Sequence, residues 1–295
     1  MKPPAFEYAA PDSLEAALAL LAQHGSAAKP LAGGQSLAPA LNFRVAQPGL
    51  LVDLNPLAEL DYIRQADSGE LRIGAMTRQR RVERDPLIAR AAPLLHETMP
   101  YIAHPQIRNR GTIGGSLVHA DPAAELPVVA LALNARFRAK SAARARWISA
   151  EEFFQGMFTT ALTPEEILVE IALPALPPRT GWSFMEFARR HGDYALMGVA
   201  ALVTLDENDA CQQAKLVYLN AGDGPVEARQ AARLLHGQPH SPEALEAASA
   251  LAAENEIMPV GNVHASPEYQ RHLARVLTRR ALAQAFERAA PDQGR

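Results

Sequence analysis

The chain has 295 residues, 48% hydrophobic and 21% charged, with a formal net charge of −3. That length exceeds one average domain and implies two or three compact units with well-buried cores. The mildly acidic balance and the dispersed Lys and Arg residues exclude a nucleic-acid footprint, and no apolar run is long enough to span a bilayer. The first residues, Met1 to Tyr8, lack the apolar stretch of a secretory signal, so cytoplasmic residence is expected. The single cysteine, Cys211, can form no internal disulfide and can hold no iron–sulfur cluster by itself; its apolar context predicts a buried structural role. Redox chemistry on this chain therefore requires an organic cofactor or another chain.

In chain order, Asp12 predicts a helix cap with Glu15 three residues on, and Leu14, Ala17, Leu18 and Leu21 share one face before Gly25 ends the helix. Residues 28–32 read as a short buried strand running into Leu31-Ala32-Gly33-Gly34-Gln35-Ser36-Leu37. Strands follow at 50–54 and 71–75, the second after a turn at Asp67-Ser68-Gly69. Arg78-Gln79-Arg80-Arg81 with Arg84, and Arg271 through Arg280, read as solvated basic faces. A helix is expected over 86–98. The polar, non-periodic His104 to Arg110 then delivers a second glycine turn, Gly111-Thr112-Ile113-Gly114-Gly115-Ser116.

Asp121-Pro122 reads as an N-cap with proline at the first helical position, starting a helix to about Leu133 that Pro127 should kink or briefly break, setting its first turn apart. Strands at 135–140 and 167–173 flank a short helix capped by Ser149. The proline-rich stretch 173–178 can continue neither strand nor helix and marks a domain boundary. Beyond it, strands at 181–190, 196–206 and 213–221 form an antiparallel meander, followed by helices at 226–236, 241–254 and 266–288.

The two glycine turns carry the chemistry. Paired glycines beside hydroxyl residues free backbone N–H groups to converge on an anion, and a β-carbon at Gly33 or Gly34 would hold the backbone away from a phosphate. The first loop taken singly is equally compatible with a plain tight turn. Two of them point to one elongated ligand with two phosphates, a flavin dinucleotide. No Gly-Lys-Ser/Thr follows the glycines and no Gly-x-Gly-x-x-Gly is present, which argues against a P-loop nucleotidase or a Rossmann fold. His119 and Asp121 form either an acid–base pair or, preferred on sequence grounds, a packed histidine and a capping carboxylate. No histidine spacing suits a metal. Gly192-Asp193-Tyr194-Ala195 places an aromatic at a turn of the C-terminal region, where it can lie against a flavin ring.

The runs LAGGQSLAPALNFR (31–44), LLVDLN (50–55), QIRNRGTIGGSLVHADPAAELP (106–127), PEEILVEIALP (164–174) and RRHGDYALMGVAA (189–201) resemble the FAD-binding medium subunits of molybdenum hydroxylases of the xanthine dehydrogenase and carbon monoxide dehydrogenase type. The resemblance implies an α+β chain. A two-part FAD-binding domain of the vanillyl-alcohol-oxidase (PCMH) type, 1–55 and 56–176, precedes a C-terminal sheet-and-helix domain, 177–295. It implies FAD on this chain, molybdopterin on a large partner subunit, two 2Fe–2S clusters on a small partner subunit, and a dimer of such heterotrimers. Electrons would pass from the clusters through FAD to an external acceptor, with no catalytic side chain and no metal on this chain.

By the same resemblance, Ala32, Gly33, Gly34, Gln35, Ser36 and Leu37, with Thr112, Ile113, Gly114, Gly115 and Ser116, would hold the pyrophosphate and ribityl chain. Asp121 would contact the cofactor near the second loop, Leu168 would form part of the apolar wall at the adenine, and Tyr194 would cover the isoalloxazine. The stretch His104 to Asn109 would approach the flavin's other face. One cysteine leaves no room for the extra 4Fe–4S cluster of the related 4-hydroxybenzoyl-CoA reductase subunit, so an oxidative hydroxylase is favoured. The alternatives are a free-standing FAD oxidoreductase acting directly on a small molecule, and an assembly subunit without flavin.

Overall fold

The computed structural model describes residues 2–290; Met1 and residues 291–295, which the expected outer domain spans include, lie outside the described residues. Strands β1 (Glu7–Ala9), β2 (Ala28–Leu31) and β3 (Leu50–Asp53) form a parallel sheet in the order β1-β3-β2. The helix Leu14–His24 crosses over between the first two strands and buries Leu14, Ala17, Leu18 and Leu21, the face expected from their spacing. Its cap is Ser13 rather than Asp12: the Ser13 hydroxyl accepts from the Ala16 N–H at 3.3 Å, and Glu15 instead pairs with Lys140.

The second sheet contains β4 (Ile63–Gln65), β5 (Leu71–Gly74), β6 (Arg136–Lys140), β7 (Ala145–Ser149) and, after the small hairpin β8 (Phe154–Gly156) and β9 (Thr159–Thr160), β10 (Ile167–Leu173). Its order is β4-β5-β10-β6-β7, with β10 central and buried at every residue. Ile167 and Val169 pack toward the first sheet's core, whereas Leu168 and Ile171 face the second core with Ile113, Leu117 and Phe137. This alternation is the period of two that a strand imposes, shifted by a bulge between Leu168 and Glu170.

Several helices differ from expectation for local reasons. The span 86–98 is two helices, Pro86–Ala91 and Pro93–Thr98, broken at Ala92 because Pro93 has no N–H to continue the ladder. His104 to Arg110 is not loop: Pro105–Arg110 is helical, with Pro105 in the first turn. The second glycine stretch is also helical, Ile113–His119, capped by Thr112. The next helix starts at Glu125, not Asp121, and ends at Ala132. Pro127 does not kink it, because it sits in the first turn where no intrahelical N–H bond is lost.

The C-terminal sheet is the expected meander, β11 (Thr180–Ala188), β12 (Ala195–Leu205) and β13 (Cys211–Leu219), with β14 (Val226–Glu227) added where helix was expected. All eleven residues of β12 are buried. Val199, Ala201 and Val203 face the long helix Pro267–Ala289, while Ala200 and Leu202 join the core of the second sheet. One face of the C-terminal sheet is thus seated on the preceding domain, which fixes where its turns point. Cys211 is buried at the start of β13, as its context predicts.

Candidate functional site

The first glycine loop leaves the C-terminal end of β2. Gly34 has φ +72°, and Gly33 is flanked so closely that a β-carbon on it would lie 2.8 Å from the Cα of Gly111. Among the described residues, the N–H groups of Gly33, Gly34, Gln35 and Ser36 donate to no protein acceptor. The Gln35 side chain turns back to the Gly33 carbonyl at 3.1 Å, the Ala38 N–H donates to the Gly34 carbonyl at 2.9 Å, and the Ser36 hydroxyl caps nothing. Consecutive unspent donors leave this loop free to donate to an acceptor outside the chain, as an anion nest would require.

The second glycine stretch is built differently. The Ile113 N–H donates to the Thr77 carbonyl at 3.0 Å, Gly114 to the Ala75 carbonyl at 2.9 Å, Gly115 to the Thr112 hydroxyl at 3.0 Å, and Ser116 to the Thr112 carbonyl at 3.3 Å. Its backbone donors are therefore spent, and the expectation that both loops offer the same N–H chemistry is corrected. Gly114 is needed because a β-carbon there would stand 2.6 Å from Ala75, and Gly115 because its would stand 2.8 Å from the Thr112 hydroxyl oxygen and 3.5 Å from the Ala32 side chain. These glycines bring the two loops into contact. Gly114 is buried, so what the stretch leaves partly exposed is Gly115 and Ser116.

Two residues that local sequence patterns do not reveal join the loops. The Asn55 side-chain amide donates to the Ala32 carbonyl at 2.9 Å, and its oxygen accepts from Arg78 at 2.6 Å. The other end of the same guanidinium donates to the Arg110 carbonyl, one residue before the second glycine stretch. Half-buried Arg78 is thus a staple rather than part of a solvated face, although Arg80 and Arg81 do pair at the surface with Glu83 and Asp61. Asp53 supports Asn55 through its N–H at 2.9 Å and takes the Tyr8 hydroxyl at 2.5 Å. Burial would raise the Asp53 carboxyl, but the bonds from Tyr8 and Asn55 and the nearby Arg110 cation hold it below its usual value. The exposed Arg110 guanidinium makes no ion pair among the described residues.

Asp121 caps a turn, its carboxylate accepting from the Ala123 N–H at 2.9 Å, with no bond to His119. The His119 ring packs 5.0 Å from the Phe158 ring, and burial lowers its pKa against the opposing pull of Asp121. The packed-histidine reading holds, and an acid–base pair does not form. Leu168 is buried in the core at 4% exposure and offers almost no surface to a ligand. Tyr194 is 75% exposed and stands one residue before β12, whose first residues are tied to the 121–125 turn. Asn220 ties these parts together. Its N–H donates to the Pro122 carbonyl at 2.7 Å, and its side-chain amide to the carbonyls of Ala195 and Leu196 at 3.0 and 3.1 Å.

A run of four consecutive unspent N–H groups beside the second glycine stretch offers the donors that the phosphates of a dinucleotide would need. The chain matches the family "FAD binding domain in molybdopterin dehydrogenase" over residues 4–176 and "CO dehydrogenase flavoprotein C-terminal domain" over 182–285. It is 46% identical to the 6-hydroxypseudooxynicotine dehydrogenase complex subunit alpha of Paenarthrobacter nicotinovorans, over 99% of this chain and 98% of the relative. It is 38% identical to the caffeine dehydrogenase subunit beta of a Pseudomonas species, covering 98% of this chain and 97% of that one. Among solved structures it superposes on carbon monoxide dehydrogenase from Hydrogenophaga pseudoflava with a TM-score of 0.94 at 37% identity, covering 98% and 100% of the two chains.

The chain belongs to the FAD-binding medium subunits of the molybdopterin dehydrogenases, the carbon monoxide dehydrogenase medium-chain family. It is accordingly an oxidoreductase subunit, the FAD component of a heteromeric molybdenum-containing dehydrogenase. Among the described residues no helix is long and apolar enough to cross a membrane.

Proposed function

We propose that the nest of Gly33, Gly34, Gln35 and Ser36 holds the FAD pyrophosphate against the partly exposed Gly115 and Ser116, with buried Thr112 and Gly114 shaping the backbone beneath them. Tyr194 and Asp121 then stand at the isoalloxazine end, and Ala32, Leu37 and Ile113 support the cradle. The observation that carries this reading is the run of unspent N–H donors from Gly33 to Ser36 abutting the second glycine stretch. When bound, FAD supplies the exchange between one-electron and two-electron carriers. The chain's own part is to bind and orient. The N–H dipoles of the nest would stabilise the phosphate charge, Arg78 and Asn55 would keep the loops in register, and the Tyr194 ring would exclude water from its side of the cofactor.

The partners in this reading are a large molybdopterin-binding subunit and a small subunit with two 2Fe–2S clusters, arranged as a dimer of heterotrimers in the cytoplasm. Units 1–55 and 56–176 clasp the cofactor, and 177–295 presents Tyr194. Spectra and metal analysis of the complex purified through a tag on this chain test it. The expected result is flavin together with iron and molybdenum, and reduction of the flavin by the complex's substrate. Flavin on the isolated chain with turnover of a small molecule by that chain alone would overturn it.

A further inference from the structure

We propose that His104 is a positioning residue for Tyr194, its imidazole acting as a buttress under Gly192 that sets the turn on which the tyrosine is carried. The inference rests on the reading that Tyr194 covers the cofactor.

The geometry is specific to this pair. Gly192 has φ +87°, and a β-carbon built on it would fall 2.5 Å from Nδ1 of His104 and 2.9 Å from the Ala103 carbonyl oxygen. The imidazole therefore occupies the space that a side chain at 192 would fill. The ring makes no hydrogen bond among the described residues, so its role there is one of shape. Beyond it, the Asp193 N–H closes a turn onto the Arg190 carbonyl at 3.1 Å, Tyr194 follows, and Asn220 anchors the chain again at Ala195 and Leu196.

The backbone of His104 is itself held firmly. Ala103 sits in the left-handed region at φ +44°. The carbonyls of Ile102 and Ala103 accept from the buried Arg108 guanidinium at 2.8 and 3.3 Å, and Arg108 is clamped by Glu83 at 2.9 and 3.2 Å. The His104 carbonyl receives the first N–H groups of the helix Pro105–Arg110. A strained residue kept in place by a buried ion pair is the arrangement in which a loop holds one position instead of many. The far end of that same helix is the Arg110 carbonyl, which takes Arg78 and lies against Gly33. One short, braced segment thus runs from the nest to the base of the tyrosine turn, where His104 meets Gly192 beside the contacts of Ala103 with Gly192 and of Tyr101 with Phe184 and His191.

The test uses the assembled holo-complex with His104→Ala, His104→Phe, Tyr194→Ala and the His104→Ala/Tyr194→Ala double variant. FAD dissociation rate, flavin fluorescence and the visible circular dichroism of the flavin are measured beside the thermal midpoint. Expected is about a tenfold faster FAD release and brighter flavin emission for His104→Ala, recovery toward wild type for His104→Phe, whose ring refills the space, and no added effect of His104→Ala once Tyr194 is removed. Wild-type release and emission in His104→Ala, with Tyr194→Ala altered, overturn the buttress alone. Additive effects in the double variant do the same, since they place His104 on a separate path. Wild-type behaviour of Tyr194→Ala overturns the reading of Tyr194, and the buttress with it.

Discussion

Gly33 and Gly111 touch backbone to backbone, close enough that a β-carbon on Gly33 would stand 2.8 Å from the Cα of Gly111. Gly33→Ala must push the two loops apart, an overpacking cost of roughly 1–3 kcal/mol, and both the melting temperature and the affinity for FAD are expected to fall. Gly34→Ala meets only Leu31 at 3.4 Å but carries φ +72°, so it costs about 1–2 kcal/mol of backbone strain while the loops stay in contact. Denaturation and FAD titration of both variants separate the two effects. An unchanged midpoint and affinity in Gly33→Ala would show that the contact supports neither the fold nor the nest.

Arg78 bonds Asn55 and the Arg110 carbonyl with two ends of one planar group. Arg78→Ala is expected to lose on the order of 1.5–3 kcal/mol, the range for hydrogen bonds from a charged donor, seen as weaker FAD retention through gel filtration. Arg78→Lys should recover only part of this, because an ammonium on a flexible stem does not reproduce the fork. Full recovery would show that charge matters and bridging does not.

The Thr112 hydroxyl accepts the Gly115 N–H at 3.0 Å and is buried. Replacing it by valine keeps the shape and strands that N–H, at a cost of about 1 kcal/mol, whereas serine keeps the bond. Equal unfolding midpoints for the Thr112→Val and Thr112→Ser proteins would contradict the cap.

Glu125 and Glu186 give the chain an alkaline weakness. Burial, reinforced by Asp121, pushes the Glu125 carboxyl up to about 7; burial, then Glu125, pushes Glu186 up to about 8. One Glu186 oxygen is buried without a partner. Between the ordinary value of 4.5 and these raised values the folded chain holds protons that the unfolded chain has released. Stability is therefore greatest at the acid end of that window, and this contribution is lost as pH rises through 7 and 8. Urea midpoints taken across it should decline, and Glu186→Gln should flatten the decline. A midpoint that climbs with pH contradicts the assignment.

Cys211 is buried and its thiol is pushed up to about 11 by burial and by Asp206. The folded protein is expected to resist a thiol-alkylating reagent at neutral pH and to react once unfolded. Rapid labelling of the native chain, followed by mass spectrometry, would show otherwise.

Much of this protein is written locally. The spacing of Leu14, Ala17, Leu18 and Leu21, the proline-rich break after Leu173, the apolar meander and the Gly33-Gly34 nest all follow from neighbours within a few residues, since side-chain period, fixed proline φ and glycine's left-handed freedom are properties of the chain itself. The motif resemblance carried the family and the fold. The tertiary structure decided which donors remain free. The expected equivalence between the two glycine stretches fails because the N–H groups of Ile113 and Gly114 meet the carbonyls of Thr77 and Ala75, which lie far off in the chain.

The same holds for Leu168, whose strand alternation turns it into the core, and for Arg78, Asn55 and Asn220, whose partners are set by how sheets and domains stack. Sequence alone thus determined most of the elements, the cofactor class and the nest. Only the folded chain showed which glycines are fixed by close packing and which leave their N–H groups free, because hydrogen-bond satisfaction and close approach depend on atoms that are distant in sequence and adjacent only after folding.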